Sequence, residues 1–318
     1  MIDFRYHLVS IVAIFLALAL GIVLGSTTLS DSVSDTLRQQ ANSAAKTAQQ
    51  ARIAQRQMQH QLGGDEQFGA VLSEQIVADR LKGQSVVLFE TPGAGNDGIE
   101  RVSELAKNAG ATVTGRVTLQ KKLLDEDQRA TVEELATQLK TDAVQFPGDA
   151  GPYAKAGAVL ASALVTKDPA KTGREDATGG AVLNGFKQAG YITASGKPGQ
   201  HATLAIMVAP SNPYTYDGGA DANKALISLA AAMDAANRGT VVGGPATSAQ
   251  EGGLIAALRD SDTGDSVSTV DTVDTSLGQI VTILALQNEM SGKSGRYGTG
   301  AGVSGYLPSP APTAGKNG

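Results

Sequence analysis

Apolar residues follow three regimes along the chain. From Leu8 to Gly25 they are nearly continuous, LVSIVAIFLALALGIVLG. From Ser30 to Leu62 they are sparse among Ala, Gln, Arg and Lys, and beyond Gly63 short unbroken runs alternate with helix-spaced stripes. Each regime predicts its own element. Eighteen helical residues rise roughly 27 Å, close to the thickness of a hydrocarbon core, so residues 8–25 are expected to span a bilayer. Ala17-Leu18-Ala19 has the small-x-small spacing of a signal-peptidase site, yet the apolar run continues past it and Arg5 alone forms the basic n-region. That balance favours an uncleaved anchor. Arg5 and His7 precede the span and no Lys or Arg follows until Arg38. By the positive-inside rule residues 1–7 are expected in the cytoplasm and the bulk of the chain outside it. Ala13, Ala17, Gly21 and Gly25 recur every fourth residue and stack as a small-residue stripe, against which a second membrane helix can pack closely.

Residues 26–62 read as a helical stalk, since Ser30 to Leu62 contains neither Gly nor Pro. A heptad frame places Leu37, Ala44, Ala51 and Met58 at one core position and Val33, Gln40, Thr47, Ala54 and Gln61 at the other, with Leu62 closing the segment. More than half of these core residues are polar or tiny, so the seam suits a borrowed partner helix, or a second copy, better than a strong zipper. Gly63-Gly64 is expected to end the stalk. A new amphipathic helix then starts at Asp65, with Phe68, Val71, Leu72, Ile76 and Leu81 at helical spacing.

Residues 63–291 predict an α/β domain. Strands are expected at Ser85–Phe89, Ala111–Leu119, near Val144, at Thr203–Ala209, Thr240–Val242 and Ser266–Val273. Helices are expected to about Asn108, around 131–140, 153–165, 181–189, 221–237, 249–258 and 276–290, with an irregular stretch from Pro147 to Gly180. This alternation predicts a doubly wound, mostly parallel sheet with helices on both faces. Residues 292–318 are rich in Gly, Ser and Pro and read as a disordered tail.

Composition narrows the chemistry. The 318 residues carry a net charge of −5 with no basic block, which excludes a nucleic-acid footprint. No cysteine is present, so disulfides, thiolate metal sites and cysteine nucleophiles are excluded, and His7, His60 and His201 stand singly. Neither a Gly-x-Ser-x-Gly elbow nor a His-Glu-x-x-His motif occurs, and no metal, cofactor or catalytic activity is expected. Gly93, Gly95 and Gly98 match G-x-G-x-x-G between a strand and a helix, the weak mark of a phosphate cradle, and Arg116 could meet a 2′-phosphate. Pro92 before the first glycine and the missing acid on the second strand argue for a simple turn. Asp217, Asp271 and Asp274 near strand ends read as helix caps or turn formers. Tyr214 and Tyr216, on the loop Asn212-Pro213-Tyr214-Thr215-Tyr216, would present aromatic surface to a protein partner.

Both chain ends carry a resemblance. Met1-Ile2-Asp3-Phe4-Arg5-Tyr6-His7-Leu8-Val9-Ser10 with the span that follows, and Val267-Ser268-Thr269-Val270-Asp271-Thr272-Val273-Asp274-Thr275 with Gly278 and Gly295-Arg296-Tyr297-Gly298, are similar to one actinobacterial family. It is the family named for the mycobacterial copper transport protein MctB, with corynebacterial septal members of the SteB type. The resemblance implies two competing functions. One is copper homeostasis, as an envelope channel or efflux component. The other is work at the division septum: the membrane and coiled-coil helices pair with a SteA-like membrane protein, and the outer domain controls a RipA-like peptidoglycan hydrolase. Copper(I) prefers sulfur and imidazole ligands, and no Met or His pair stands at ligand spacing. A single span without intramembrane charge also cannot line an ion path alone. The expectation is therefore a non-enzymatic, single-span septal protein, with copper efflux and a small-ligand α/β domain as alternatives.

Overall fold

The computed structural model describes residues 3–309 apart from Pro147 and Asp217; the side chains of residues 3, 26–36 and 97 are not described. The chain divides into two units, Met1–Asp65 and Glu66–Gly318.

The first unit consists of helix α1, which runs from Asp3 to Val77 and so ends inside the second. Within it, Phe4–Gly25 is long and apolar enough to cross a membrane, with a mean hydropathy of 2.9 and none of it buried. The expected break at Gly63-Gly64 is not there, because the backbone stays helical through both glycines. Each glycine costs roughly 1 kcal/mol relative to Ala, a penalty that good helix formers on either side can absorb.

The second unit is the α/β fold expected from the alternation. Its strands are β1 (Ser85–Glu90), β2 (Thr112–Leu119), β3 (Ile192–Gly196), β4 (Leu204–Val208), β5 (Thr240–Gly243), β6 (Ser268–Val270) and β7 (Arg296–Tyr297). Its helices are α2 (Asn96–Asn108), α3 (Lys121–Leu124), α4 (Arg129–Gln138), α5 (Pro152–Leu164), α6 (Ala177–Gln188), α7 (Gly219–Ala236), α8 (Leu254–Arg259) and α9 (Ser276–Glu289). The sheet order is β3-β2-β1-β4-β5-β6-β7. All neighbours are parallel except β2 and β3.

Helices cover both faces, which is why the central strands are apolar at every position rather than at alternate ones. Val87, Phe89, Ala205 and Met207 point into the larger core with α4 to α8. Val86, Leu88, Leu204 and Ile206 point into the other, with α2, α9 and Val77 at the end of α1.

Several expectations are corrected. In residues 66–77 the buried stripe is Gly69, Ser73 and Val77, with Leu72 and Ile76 half-buried, while Phe68 and Val71 are exposed. The cause is steric. A Cβ on Gly69 would lie 3.0 Å from Ser276 Cβ, so the helix packs against α9 through the residue that has no side chain. Val144 is a buried anchor in a turn, not a strand. β3 was not expected at all, because Ile-Thr-Ala-Ser-Gly is a short, half-exposed edge strand without an apolar run. A 3₁₀ turn, Ala246–Ala249, precedes a shorter α8 than expected.

The expected tail from residue 292 contains β7, whose Tyr297 is buried; residues 310–318 lie outside the described set. A buried ion pair fixes this return. Arg259 donates from Nη1 to Asp271 Oδ2 (2.8 Å) and to the Ala301 carbonyl (3.0 Å), from Nη2 to the Tyr297 carbonyl (3.0 Å), and from Nε to Thr269 Oγ1 (3.0 Å). Asp271 also accepts from the Thr299 and Gly300 amides, at 2.7 and 2.9 Å. Asp271 is thus a fully buried ion-pair partner rather than a cap. Gly298, at φ +125°, would place a Cβ against Asp271 Oδ1, so only glycine fits.

Candidate functional site

The chain leaves β1 for α2 on one face of the sheet and leaves β4 for α7 on the other. The loops therefore diverge where the strand order reverses, and in open α/β sheets such a crevice at the carboxyl ends of the strands is the ligand position. A cleft of about 620 Å³ lies there. Val208 and Ala209 form its floor, Gly95 and Asn96 its α2 side, and Val273 and Asp274 its α9 side, with Arg101 and Glu66 also lining it.

Two helices begin at this cleft, and their ends are served differently. α9 is closed by Thr275, whose Oγ1 accepts from the Gly278 amide (3.0 Å), and by Glu66, which accepts from the Ser276 amide (2.8 Å) and from Ser276 Oγ (2.5 Å). α2 begins after Gly95 with no side-chain cap. Arg101 stands 3.8 Å from Glu66, and among the described residues no ion-pair partner reaches Asp274. Burial pushes the Asp274 carboxyl above the usual range, with the charges of Glu66 and Asp271 adding, against a backbone hydrogen bond that lowers it. Gln279 donates to the Val273 carbonyl (3.1 Å) and holds the β6–α9 loop.

The glycine loop lines this region as a turn. Gly93, at φ +87°, makes the bend that other residues rarely adopt, whereas a Cβ on Gly98 would make only an ordinary 3.7 Å contact with Val273. Gly95 faces Ser211 Oγ at 3.3 Å by the same measure. Arg116 is engaged elsewhere, 3.6 Å from Glu90 and 3.9 Å from Glu100, and Thr118 also donates to Glu90 (2.9 Å). The end of β2 is thus committed internally where a dinucleotide fold would meet its ribose.

A neighbouring hollow of about 410 Å³ is lined by Pro92, Gly93, Lys121, Pro213, Tyr214 and Tyr216, among others. Tyr214 donates to the Pro92 carbonyl (2.8 Å) and ties the β4–α7 loop to the β1–α2 loop, and burial raises its pKa. Tyr216, 51 % exposed with its ring 5.4 Å from that of Tyr214, is the aromatic surface of the pair. Asp217 lies outside the described residues. His201 is buried, with Nδ1 2.8 Å from the Arg174 carbonyl and Nε2 3.1 Å from the Ser162 carbonyl, so neither nitrogen is open to a ligand. Among the described residues no group of three or more His, Asp or Glu is placed to hold a metal ion.

In the first unit, Ala13, Ala17 and Gly21 are exposed and Gly25 is half-exposed. Nothing lies within 4 Å of where Cβ atoms on the two glycines would sit. Leu37, Ala44, Ala51, Met58 and Leu62 are also exposed; the Val33 side chain is outside the described set. Sequence reasoning missed Glu66, Arg101 and Arg259. Glu66 and Arg101 gain meaning only when the packing of α1 and α2 beside α9 brings them to one cleft.

Among the described residues, one helix long and apolar enough to cross a membrane, ahead of a mostly parallel seven-stranded α/β sheet with an open cleft at the switch point, defines the class of protein. Residues 1–308 match the model of the family described as "Copper transport outer membrane protein, MctB", and the chain belongs to that family. It is 33 % identical over 314 residues to "Copper transporter MctB" of Mycobacterium tuberculosis (strain ATCC 25618 / H37Rv), covering 95 % of this chain and 98 % of the relative. The Mycobacterium bovis protein of the same name gives the same values. The Mycobacterium leprae protein is 33 % identical over 249 residues, 74 % of this chain and 77 % of the relative.

Proposed function

We propose that this protein is a non-enzymatic, membrane-anchored envelope protein of the SteB type that acts through helix pairing. The residues near 8–25 anchor it, with the N-terminus cytoplasmic. The 26–62 helix pairs with a SteA-like membrane protein at the division septum, and the α/β unit controls a RipA-like peptidoglycan hydrolase. The observation that carries this reading is the exposure of Leu37, Met58 and Leu62, at 61, 64 and 60 %, on a helix whose neighbours are polar or small. A polar helix without a packed face is marginal in water, so a partner covering that seam would order it. Deleting residues 30–62 is expected to abolish septal recruitment and hydrolase activation in growing cells. Normal septation and hydrolase activity in that strain would overturn the reading.

Copper transport is the second reading, and it is favoured by the names of the relatives. The donor set weighs against a copper(I) site in the α/β unit. The chain has no cysteine, His201 is engaged at both nitrogens, and Met207 and Met233 are buried in the core. Raised cell copper on loss of the protein, together with competition by the purified chain against a copper(I) chelator, would establish copper as its cargo.

A further inference from the structure

The switch-point cleft carries an inference beyond helix pairing. Its volume, about 620 Å³, lies within the range of small-molecule sites and far exceeds a water pocket. Its charges separate the ligand classes. Among its described side chains one guanidinium, Arg101, shares the lining with two carboxylates, Glu66 and Asp274, and Glu66 already stands beside Arg101. A nucleotide would bring several negative charges into that field, and the cation at the end of β2, Arg116, is held by Glu90 and Glu100. A divalent ion lacks a third carboxylate or imidazole, since the described residues hold no such group.

A ligand with one positive and one negative end meets both demands. Arg101 forms an ion pair with Glu66 at 3.8 Å, beyond hydrogen-bond length, so its N–H groups can still donate to a carboxylate, next to the start of α2 where no described side chain caps the helix. Asp274, which has no ion-pair partner among the described residues, suits an ammonium group. Asn96 and Asn212 add amide groups to the lining, matched to peptide amides, while the Thr247 hydroxyl donates to the Ser211 carbonyl. A single amino acid would leave most of the volume unfilled. We infer that the cleft between α2 and α9 binds a short peptide with free amino and carboxyl ends, its carboxylate at Arg101 and its ammonium at Asp274.

The test is calorimetric titration of the full chain in detergent with trialanine, N-acetyl-trialanine, trialanine amide, ADP and inorganic phosphate. Trialanine is expected to bind, and blocking either end is expected to weaken binding about tenfold or more. Asp274→Asn is expected to reproduce the N-acetyl loss and Arg101→Gln the amide loss, with unchanged melting as the folding control. The blocked ligands test the same contacts on the unmodified chain should either variant fail to fold. No binding of trialanine, equal binding of its blocked forms, or tighter binding of ADP or phosphate would overturn the inference.

Discussion

The two units handle apolar side chains in opposite ways. In residues 3–65 every described apolar side chain is exposed, from Phe4 through the span to Leu37, Met58 and Leu62. In residues 66–309 Val87 and Met207 are buried in the core on one face of the sheet, and Leu88 and Ile283 in the core on the other. The second unit buries most of its large apolar side chains internally, Phe68 and Val71 being exceptions. The first leaves its own exposed, and the proposed function assigns lipid to Phe4–Gly25 and a facing helix to the seam beyond it. Substitutions in the second unit should act on folding, and those in the first on association.

The largest effect is expected at the buried latch. Arg259→Ala leaves Asp271 charged, 0 % exposed and without its cation, which should cost about 3–5 kcal/mol. Scanning calorimetry of the full chain would show a sharply lowered melting temperature of the α/β unit. A small shift would mean that the β7 segment is not held by this pair.

Next comes Glu289, where burial, with the charge of Asp234 adding, pushes the carboxyl up to about 8 from 4.5, despite hydrogen bonds from Ser268. An acid whose pKa is higher in the folded state loses stability as pH rises. The native protein keeps a proton that the unfolded chain releases between about pH 4.5 and 8, and above pH 8 the loss is complete. Glu289→Gln should therefore gain on the order of 2–4 kcal/mol relative to the parent between pH 4.5 and pH 8, read from paired melts. A pH-independent difference would contradict this assignment.

A smaller change is expected at the loop strut. Tyr214→Phe removes the hydrogen bond to the Pro92 carbonyl at a cost of about 1 kcal/mol and loosens the loops beside the cleft, visible as faster amide exchange there. The smallest stability effect belongs to the first unit. Met58→Ala should leave α/β melting within about 0.5 kcal/mol of the parent while weakening cross-linking to a partner. A large melting shift would dissolve the contrast between the units.

Much of this fold was legible because its signals are local. The apolar runs at Val86–Phe89 and Leu204–Val208 mark strands covered on both faces, and the span stands out by length. β3 escaped because an edge strand need not be apolar, and β7 because two residues in a glycine-rich stretch give no periodicity. In residues 66–77 the apolar spacing of Phe68 and Val71 suggests one helix face, yet both are exposed. In fact Gly69 decides which face meets α9. At the site, the glycine loop and Asp274 were visible in the sequence, but their meeting with Arg101 and Glu66 is a product of packing across hundreds of residues. Asp271 was seen and misassigned, since its partner Arg259 reveals itself only where α8 crosses β6.

The central claim is that the first unit's seam faces another helix, and the absence of cysteines makes it directly testable. A photo-activated benzophenone is attached through Leu37→Cys on the seam, or through Asn42→Cys on the opposite side of the same heptad, and intact cells are irradiated. The account predicts a specific adduct with a second membrane protein from position 37 and little from position 42, whereas no adduct, or equal adducts from both positions, would contradict it.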